Sequence, residues 1–201
     1  MDNMYLTSKY NSKSRWLSYW YQISETLEVS PASVLVIGKG SGFTENSIKL
    51  LTNKKTKVLT LDINSSLIPD TVGNITHLPL KKESFDASLC CQVLEHIPFE
   101  QFSPALSELH RVTRKRVVLS LPHGRKHIRI SYNVSKLGEK NIIIKNPLTK
   151  KICTARRHHW EIGRSVSRKQ LISELLKFFT IEKEFFNEIN CYHRFFILKK
   201  K

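Results

Sequence analysis

Three glycines stand at every second position, Gly38, Gly40 and Gly42, directly behind the apolar run Val34–Ile37. The chain has only seven glycines, so three within five residues mark a place where the backbone turns tightly and a ligand can approach the main chain. A second run, Lys57–Leu61, ends in Asp62, whose carboxylate could accept both hydroxyls of a ribose. Val34–Ile37 is β-branched and apolar on both faces, which suits a buried parallel strand. Thr44 is expected to cap a helix over roughly 45–51, with its first N–H groups facing the same space. Strand, glycine turn, helix, strand and acid form the plan of a nucleotide-binding βαβ unit. A dinucleotide fingerprint, GxGxxG, needs a glycine where Phe43 stands, and the spacing here is GxGxG.

The glycine spacing resembles motif I of the class I S-adenosylmethionine-dependent methyltransferases. The stretch NITHLPLKKESFDASLCCQVLEHI, residues 74–97, is similar to the segment around the fourth strand of the same family. Leu78-Pro79-Leu80, Ser84-Phe85-Asp86 and Val93-Leu94-Glu95-His96 fall in its register. The glycine turn, Asp62 and this segment come in the family's order, and the resemblance covers roughly residues 30–122. It extends loosely to HHWEIG and YHRFFILKK near the C-terminus. The resemblance implies an α/β fold, a Rossmann-like three-layer sandwich on a mostly parallel seven-stranded sheet with an antiparallel last strand. It implies S-adenosylmethionine as cofactor. Gly38, Gly40 and Gly42 would pack against its methionine half, and Asp62 would hold the ribose. Ile63 would cover the adenine, Asn74 and Ile75 would lie at its edge, and Cys91 and Gln92 would floor the site near the methyl group. Two positions depart from the family pattern. Val36 stands where the first strand often carries a carboxylate, and Asn74 replaces the acid that often meets adenine N6. The link from Asp62 to Asn74 is also short, with little room for the family's usual helix.

Methyl transfer from a sulfonium is an in-line displacement, in which alignment can contribute ~7–11 kcal/mol. It requires no metal, and the sequence shows no metal-spaced cluster, so no metal is expected. A base is needed only for a hydroxyl or a protonated amine. His96, just past the fourth strand, and His123, behind a fifth strand at Arg116–Leu121, are the candidates; each could instead make only local hydrogen bonds. His158, His159, Trp160 and Glu161 form a further polar cluster that could close over an acceptor, or a solvated loop. The four cysteines, Cys90, Cys91, Cys153 and Cys191, have no CxxC spacing and read as reduced thiols, with Cys90 an inert strand-end residue.

These residues need elements to hold them. The chain of 201 residues is expected to be a single domain: a helical lid at 1–30, a cofactor core at 31–122, a basic acceptor-side insertion at 123–166, and a closing helix and hairpin at 167–201. Trp16, Leu17, Trp20 and Ile23 fall at helical spacing and are expected to face the core, with Tyr19 or Tyr21 reaching toward the site. A final helix is expected at Ser167–Phe178, and a β-hairpin over 134–148 turning at Gly138.

Charge divides the chain. Residues 1–110 carry 10 Lys and Arg against 11 Asp and Glu, a net of −1, and residues 111–201 carry 23 against 6, a net of +17. Within 123–157 there are ten Lys and Arg and one acid. Such asymmetry points to an anionic partner: a phosphorylated or lipid-linked small molecule, a membrane face, or nucleic acid. Tyr132 is the sole aromatic there, a poor stacking surface for single strands. The base-amine motif Asn/Asp-Pro-Pro-Tyr/Phe is replaced by Gln92-Val93-Leu94-Glu95, so nucleic acid is not favoured. No apolar run reaches the ~20 residues of a membrane span and the N-terminus lacks a signal-peptide core, so the expected location is cytoplasmic. Three readings remain: a methyltransferase acting on a small or lipid-linked anionic acceptor, an RNA methyltransferase, and an inactive cofactor-binding basic module.

Overall fold

Ser33–Ile37 forms strand β1, and all but its first residue are buried. It lies between β2 (Lys57–Asp62) and the strand Phe85–Cys91, parallel to both, with Val34 opposite Val58 on one side and Ala87 on the other. Successive side chains in a strand point to opposite faces, so Leu35 and Ile37 need one cover and Val34 and Val36 another. Helices α1 (Lys13–Leu27) and α2 (Phe43–Leu51) supply the second: Tyr19, Ile23 and Ile48 pack with Val34, Val36 and Leu89. Helices α3 (Phe102–Val112) and α4 (Arg168–Phe178) supply the first, through Leu106, Leu109, Leu171 and Leu175 against Leu35 and Leu119. The structure, a computed structural model, describes residues 5, 7, 8, 10–124, 127–134, 138–145 and 157–201.

With β3 (Thr71–Val72), β4 (Phe85–Cys91), β5 (Thr113–Pro122), β8 (Phe179–Phe186) and β9 (His193–Lys200), the main sheet runs β3-β2-β1-β4-β5-β9-β8. β9 runs antiparallel to both β5 and β8, and the pairs among β1–β5 are parallel. This is the expected three-layer, mostly parallel, seven-stranded architecture. β6 (His127–Val134) and β7 (Gly138–Lys145) pair separately as a hairpin. It begins seven residues before the expected start at 134, because the alternation of Ile128, Ile130 and Tyr132 already suits a strand. Gly138 opens the second strand opposite Val134, and residues 146–148 lie outside the described set, as do Arg125, Lys126 and Cys153.

The motifs of the sequence act as struts. Asp86 accepts from the N–H of Ala32 at 2.8 Å and from Arg114 Nε at 3.0 Å, tying the start of β1 to β4. Glu108 accepts from Leu78 N–H at 2.7 Å, while Arg111 donates to the carbonyls of Leu78 and Leu80. The Leu78–Leu80 stretch is thereby clamped to α3. Three expectations change in detail. Strand β5 starts at Thr113, not Arg116, with Arg114 and Lys115 exposed. Thr44 is not the cap of α2: Gly42, at φ 74°, precedes a helix that already begins at Phe43, and the Thr44 hydroxyl donates to Gln22 Oε1 at 3.0 Å.

The third concerns α1. Trp16 and Trp20 are 50% and 59% exposed, and the buried face carries Ser18, Tyr19, Gln22, Ile23, Glu25 and Thr26. The helix docks through polar pairs that an apolar stripe cannot reveal. Asn187 Nδ2 donates to Ser18 Oγ at 2.6 Å, and Ser18 Oγ lies 2.8 Å from His193 Nδ1. Further along, Arg116 reaches Glu28 at 2.6 Å and Glu182 at 2.8 Å, and Lys183 reaches Glu25 at 2.9 Å. Burial, helped by the charge of Arg15, pushes the His193 imidazole down to about 3 from an ordinary 6.5. The folded state therefore holds it neutral while the unfolded chain protonates it, so stability falls as pH drops below 6.5. The contribution is about 1.4 kcal/mol per pH unit. Denaturant titrations between pH 7 and pH 4 should show a shallower acid loss in His193→Asn than in the parent chain; equal slopes would place the acid sensitivity elsewhere.

Candidate active site

Strand order reverses between β1 and β4, and in parallel sheets such a reversal leaves a crevice at the carboxyl ends. A cleft of about 410 Å³ occupies that position. The glycine turn lines it through Gly38 and Gly40. Gly38, Gly40 and Gly42 all have left-handed φ, at 81°, 54° and 74°. At Gly38 a Cβ would stand 2.6 Å from Val93 Cγ2, so space as well as backbone demands glycine. Asp62 fastens the turn, its Oδ2 accepting from Lys39 N–H at 2.8 Å and its Oδ1 from Asn64 N–H at 2.9 Å. A carboxylate has about four acceptor sites, so two remain for a ligand.

Of the residues singled out from sequence, Gly38, Gly40, Asp62, Ile63, Asn74, Ile75, Cys91, Gln92 and His96 line the cleft. Gly42 does not line it; it sits behind the turn as the cap of α2. Asn74 Oδ1 already accepts from Thr76 N–H and Thr76 Oγ1, both at 3.0 Å, so its amide nitrogen is the group left to offer. Gln92 closes β4 at φ 57°, a conformation that costs a non-glycine residue ~1–3 kcal/mol and is characteristic of functional sites. Its N–H donates to Ser120 O at 2.9 Å and its Nε2 to Ser120 Oγ at 3.3 Å. Burial pushes the Cys91 thiol up to about 12 and Cys90 well above its usual value. Neither is a thiolate nucleophile at neutral pH.

The other walls were less legible. Tyr5, Tyr10, Arg15 and Tyr19 line the cleft from the N-terminal side; Arg15 stacks over the Tyr10 ring at 4.5 Å, and the Tyr19 hydroxyl lies 3.4 Å from Ser41 Oγ. Tyr19, expected with Tyr21 as alternative to reach toward the site, does line the cleft and Tyr21 does not; Tyr5, Tyr10 and Arg15 were not singled out, and the aromatic density of residues 5–21 was the available signal. His123 is buried outside the cleft lining, 3.0 Å from Arg194 through Nδ1, because it follows β5 into the β9 junction. It is placed away from a base's position, whereas His96 is at the cleft edge.

Tertiary contact also creates a cluster that sequence spacing hides. Glu95, His96 and His158 bring one ligand atom each to within 4.8 Å of one another, where the chain returns to His96 through Arg157, 61 positions later. Glu95 is fully buried, and desolvation pushes its carboxyl up to about 8. Burial and the neighbouring His96 hold the His158 imidazole below its ordinary value.

Residues 35–121 match the family described as the methyltransferase domain. No curated protein sequence matches the chain. Solved structures do. The PH0226 protein from Pyrococcus horikoshii OT3 is similar over 99% of this chain and 94% of its own, at 15% identity and a TM-score of 0.61. The glycopeptide N-methyltransferase MtfA, in complex with S-adenosyl-L-homocysteine, is similar over 92% and 89%, at 13% identity and 0.60. The small RNA methyltransferase HEN1 is similar over 93% of this chain and 25% of its own, at 14% identity and 0.66. At these identities the likeness is one of fold. Residues 35–121 thus match the methyltransferase domain, and the sheet order and crevice of the whole chain are those of the Rossmann-like methyltransferase fold.

Gly38→Ala should lower stability by about 2–4 kcal/mol, combining left-handed strain with overpacking against Val93. In a double-mutant cycle with Val93→Ala, measured by denaturant titration, part of that loss should return; strict additivity would mean the two side chains do not meet.

Proposed function

We propose that the chain transfers the methyl group of S-adenosylmethionine to an anionic acceptor, small or lipid-linked, entering beside His96 and Arg157. S-Adenosylmethionine would lie with its ribose on Asp62, its adenine between Ile63 and Ile75 with Asn74 at the edge, and its methionine end over Gly38 and Gly40. Cys91 and Gln92 would sit beneath the methyl group, and residues 1–30 would act as the lid, with Tyr10 and Tyr19 against the cofactor. The nucleophile attacks the methyl carbon in line, and the S–CH3 electron pair returns to sulfur, leaving neutral S-adenosylhomocysteine. Alignment carries the rate, so the buried thiols have no part in it. His96 offers a lone pair on the acceptor side: its Nδ1 lies 2.9 Å from the Arg157 carbonyl, and a carbonyl only accepts, so Nδ1 carries the proton and Nε2 is left available.

The observation that carries the acceptor class is the β6–β7 hairpin. Ile128, Ile130, Tyr132, Ile142 and Ile144 are all exposed, and Ile128 faces Ile144 while Ile130 faces Ile142 across the ladder. That apolar face belongs to the segment with ten cationic residues and one acid, whose last residue, Arg157, lines the cleft. Apolar and cationic side chains together match a lipid-linked anion at a negatively charged surface. Among the described residues no helix is long and apolar enough to cross a membrane, so contact would be peripheral.

Two measurements test this. Asp62→Asn should raise the S-adenosylmethionine dissociation constant at least about tenfold in calorimetry, since charge-assisted hydrogen bonds contribute ~1.5–3 kcal/mol; unchanged affinity in a folded variant would remove Asp62 from the site. Cell extract incubated with the protein and isotopically methyl-labelled cofactor should gain label in an anionic small-molecule or lipid fraction. Incorporation should fall with salt and on replacing Arg125, Lys126 and Arg129 by Gln. Label in RNA would favour the nucleic-acid reading, and cofactor binding without any labelled fraction would favour the inactive module.

A further inference from the structure

Glu95 is an anomaly in a stable fold. Its side chain is completely buried, yet neither carboxylate oxygen has a hydrogen-bond partner among the described residues. Leaving a buried carboxylate unpaired is among the more costly things a protein can do, and such groups are ordinarily found paired or coordinating a metal. The nearest side-chain nitrogen recorded against it is His158 Nε2, 4.0 Å from Oε1. His158 Nδ1 faces the other way, 3.2 Å from the Tyr192 hydroxyl and 3.5 Å from Glu161 Oε1, while Tyr192 donates to that same Glu161 oxygen at 2.6 Å. His96 is held likewise, its Nδ1 against the Arg157 carbonyl at 2.9 Å. Both imidazoles therefore have Nδ1 occupied by an oxygen that orients the ring and favours the proton there. Each ring keeps an Nε2 lone pair, that of His158 4.0 Å from the unsatisfied Glu95 carboxylate, with His96 in the same 4.8 Å cluster, and a second shell of carbonyl and carboxylate behind ligating histidines is how metal sites are built.

We propose that Glu95, His96 and His158 form a binding site for one divalent transition-metal ion on the wall of the cleft. Two histidines and a carboxylate suit Zn(II), Mn(II), Fe(II) or Co(II) better than Mg(II) or Ca(II), which prefer all-oxygen shells. Ligand atoms in a tetrahedral shell at ~2.0–2.2 Å stand roughly 3.3–3.6 Å apart, so the 4.8 Å cluster closes on an ion with side-chain movements on the order of 1 Å. The ion would supply the missing partner of Glu95 and tie the loop after β4 to the 157–161 segment, whose chain already meets there through the His159 N–H to Glu95 carbonyl bond at 2.8 Å. His96 and Arg157 line the cleft, so the remaining coordination positions open toward the acceptor side. This site rests on the cluster's own geometry and not on the identity of the acceptor; an ion held there takes the His96 Nε2 lone pair, so His96 is then a ligand and not the free base of the apo cleft.

The test is a titration of the full, tag-free, chelator-stripped chain with Co(II), followed by its visible ligand-field absorption, with S-adenosylmethionine affinity measured in parallel by calorimetry. Saturable binding of one Co(II) per chain is expected. Glu95→Gln, His96→Ala and His158→Ala should each weaken it at least ~100-fold, at the upper end of what loss of a second-shell partner alone costs. His159→Ala, an exposed neighbour, should leave it unchanged. His96 is exposed as well, so its variant keeps the test informative if Glu95→Gln fails to fold. Cofactor affinity should persist in the His96 and His158 variants, which separates failure of the metal site from failure of the methyltransferase reading. No saturable Co(II) binding, or binding indifferent to all three substitutions, overturns the proposal.

Discussion

Strand β1 has no polar side on which to meet water, and the rest of the molecule is arranged around that. With Leu35 and Ile37 on one face and Val34 and Val36 on the other, the strand must be central and must be sandwiched by helices on both sides. A central parallel strand has neighbours left and right, and the chain leaves β1 toward β2 on one side and enters β4 on the other. The reversal opens the crevice at their carboxyl ends. The left-handed glycine turn then has one place to be, above that crevice, and the Asp62 carboxylate pins it there through the N–H of Lys39. Burial of four apolar side chains thus sets the position of the site.

Around this apolar centre the elements are joined by polar contacts. Helix α1 is attached through Ser18, His193 and Asn187, and through the Arg116 and Lys183 ion pairs to Glu25, Glu28 and Glu182. The 74–80 segment that edges the cleft is held by Glu108 and Arg111 of α3. Polar struts fix orientation more sharply than apolar contacts do, because each donor must meet its acceptor within a few tenths of an ångström. The cleft walls that depend on them, Tyr10 and Tyr19 on one side and Asn74 and Ile75 on the other, inherit that definition.

The departures from the family pattern are accommodated locally. With Val36 in place of a carboxylate, the Asp62 carboxylate accepts from the Lys39 N–H of the glycine turn, beside the Leu61 carbonyl that accepts from Gly38 N–H. With Asn74 in place of an acid, the side-chain oxygen is taken up by Thr76, and the amide nitrogen is the group left to offer. The short link after Asp62 forms a single turn at Ser65–Leu67 and the two-residue β3 where the family's usual helix has no room.

The sequence alone determined the local features whose causes are local. Glycine tolerates left-handed φ, an unbroken apolar run must be buried, and an acid after the second strand stands at the crevice; from these came the sheet, the turn and the glycine and Asp62 side of the cleft. It misjudged α1, because Trp16 and Trp20 obey a helical period that says nothing about which face finds buried polar partners. It left His96 and His123 equivalent, each a histidine just past a strand, although β9 draws His123 to Arg194. It showed no metal-spaced cluster, because Glu95 and His96 meet His158 only when the segment after the hairpin folds back over the loop following β4. Sequence spacing records neighbours along a helix or strand; only tertiary structure decides which distant side chains lose water together, and that shared loss of water is what gives a buried carboxylate its need for a partner.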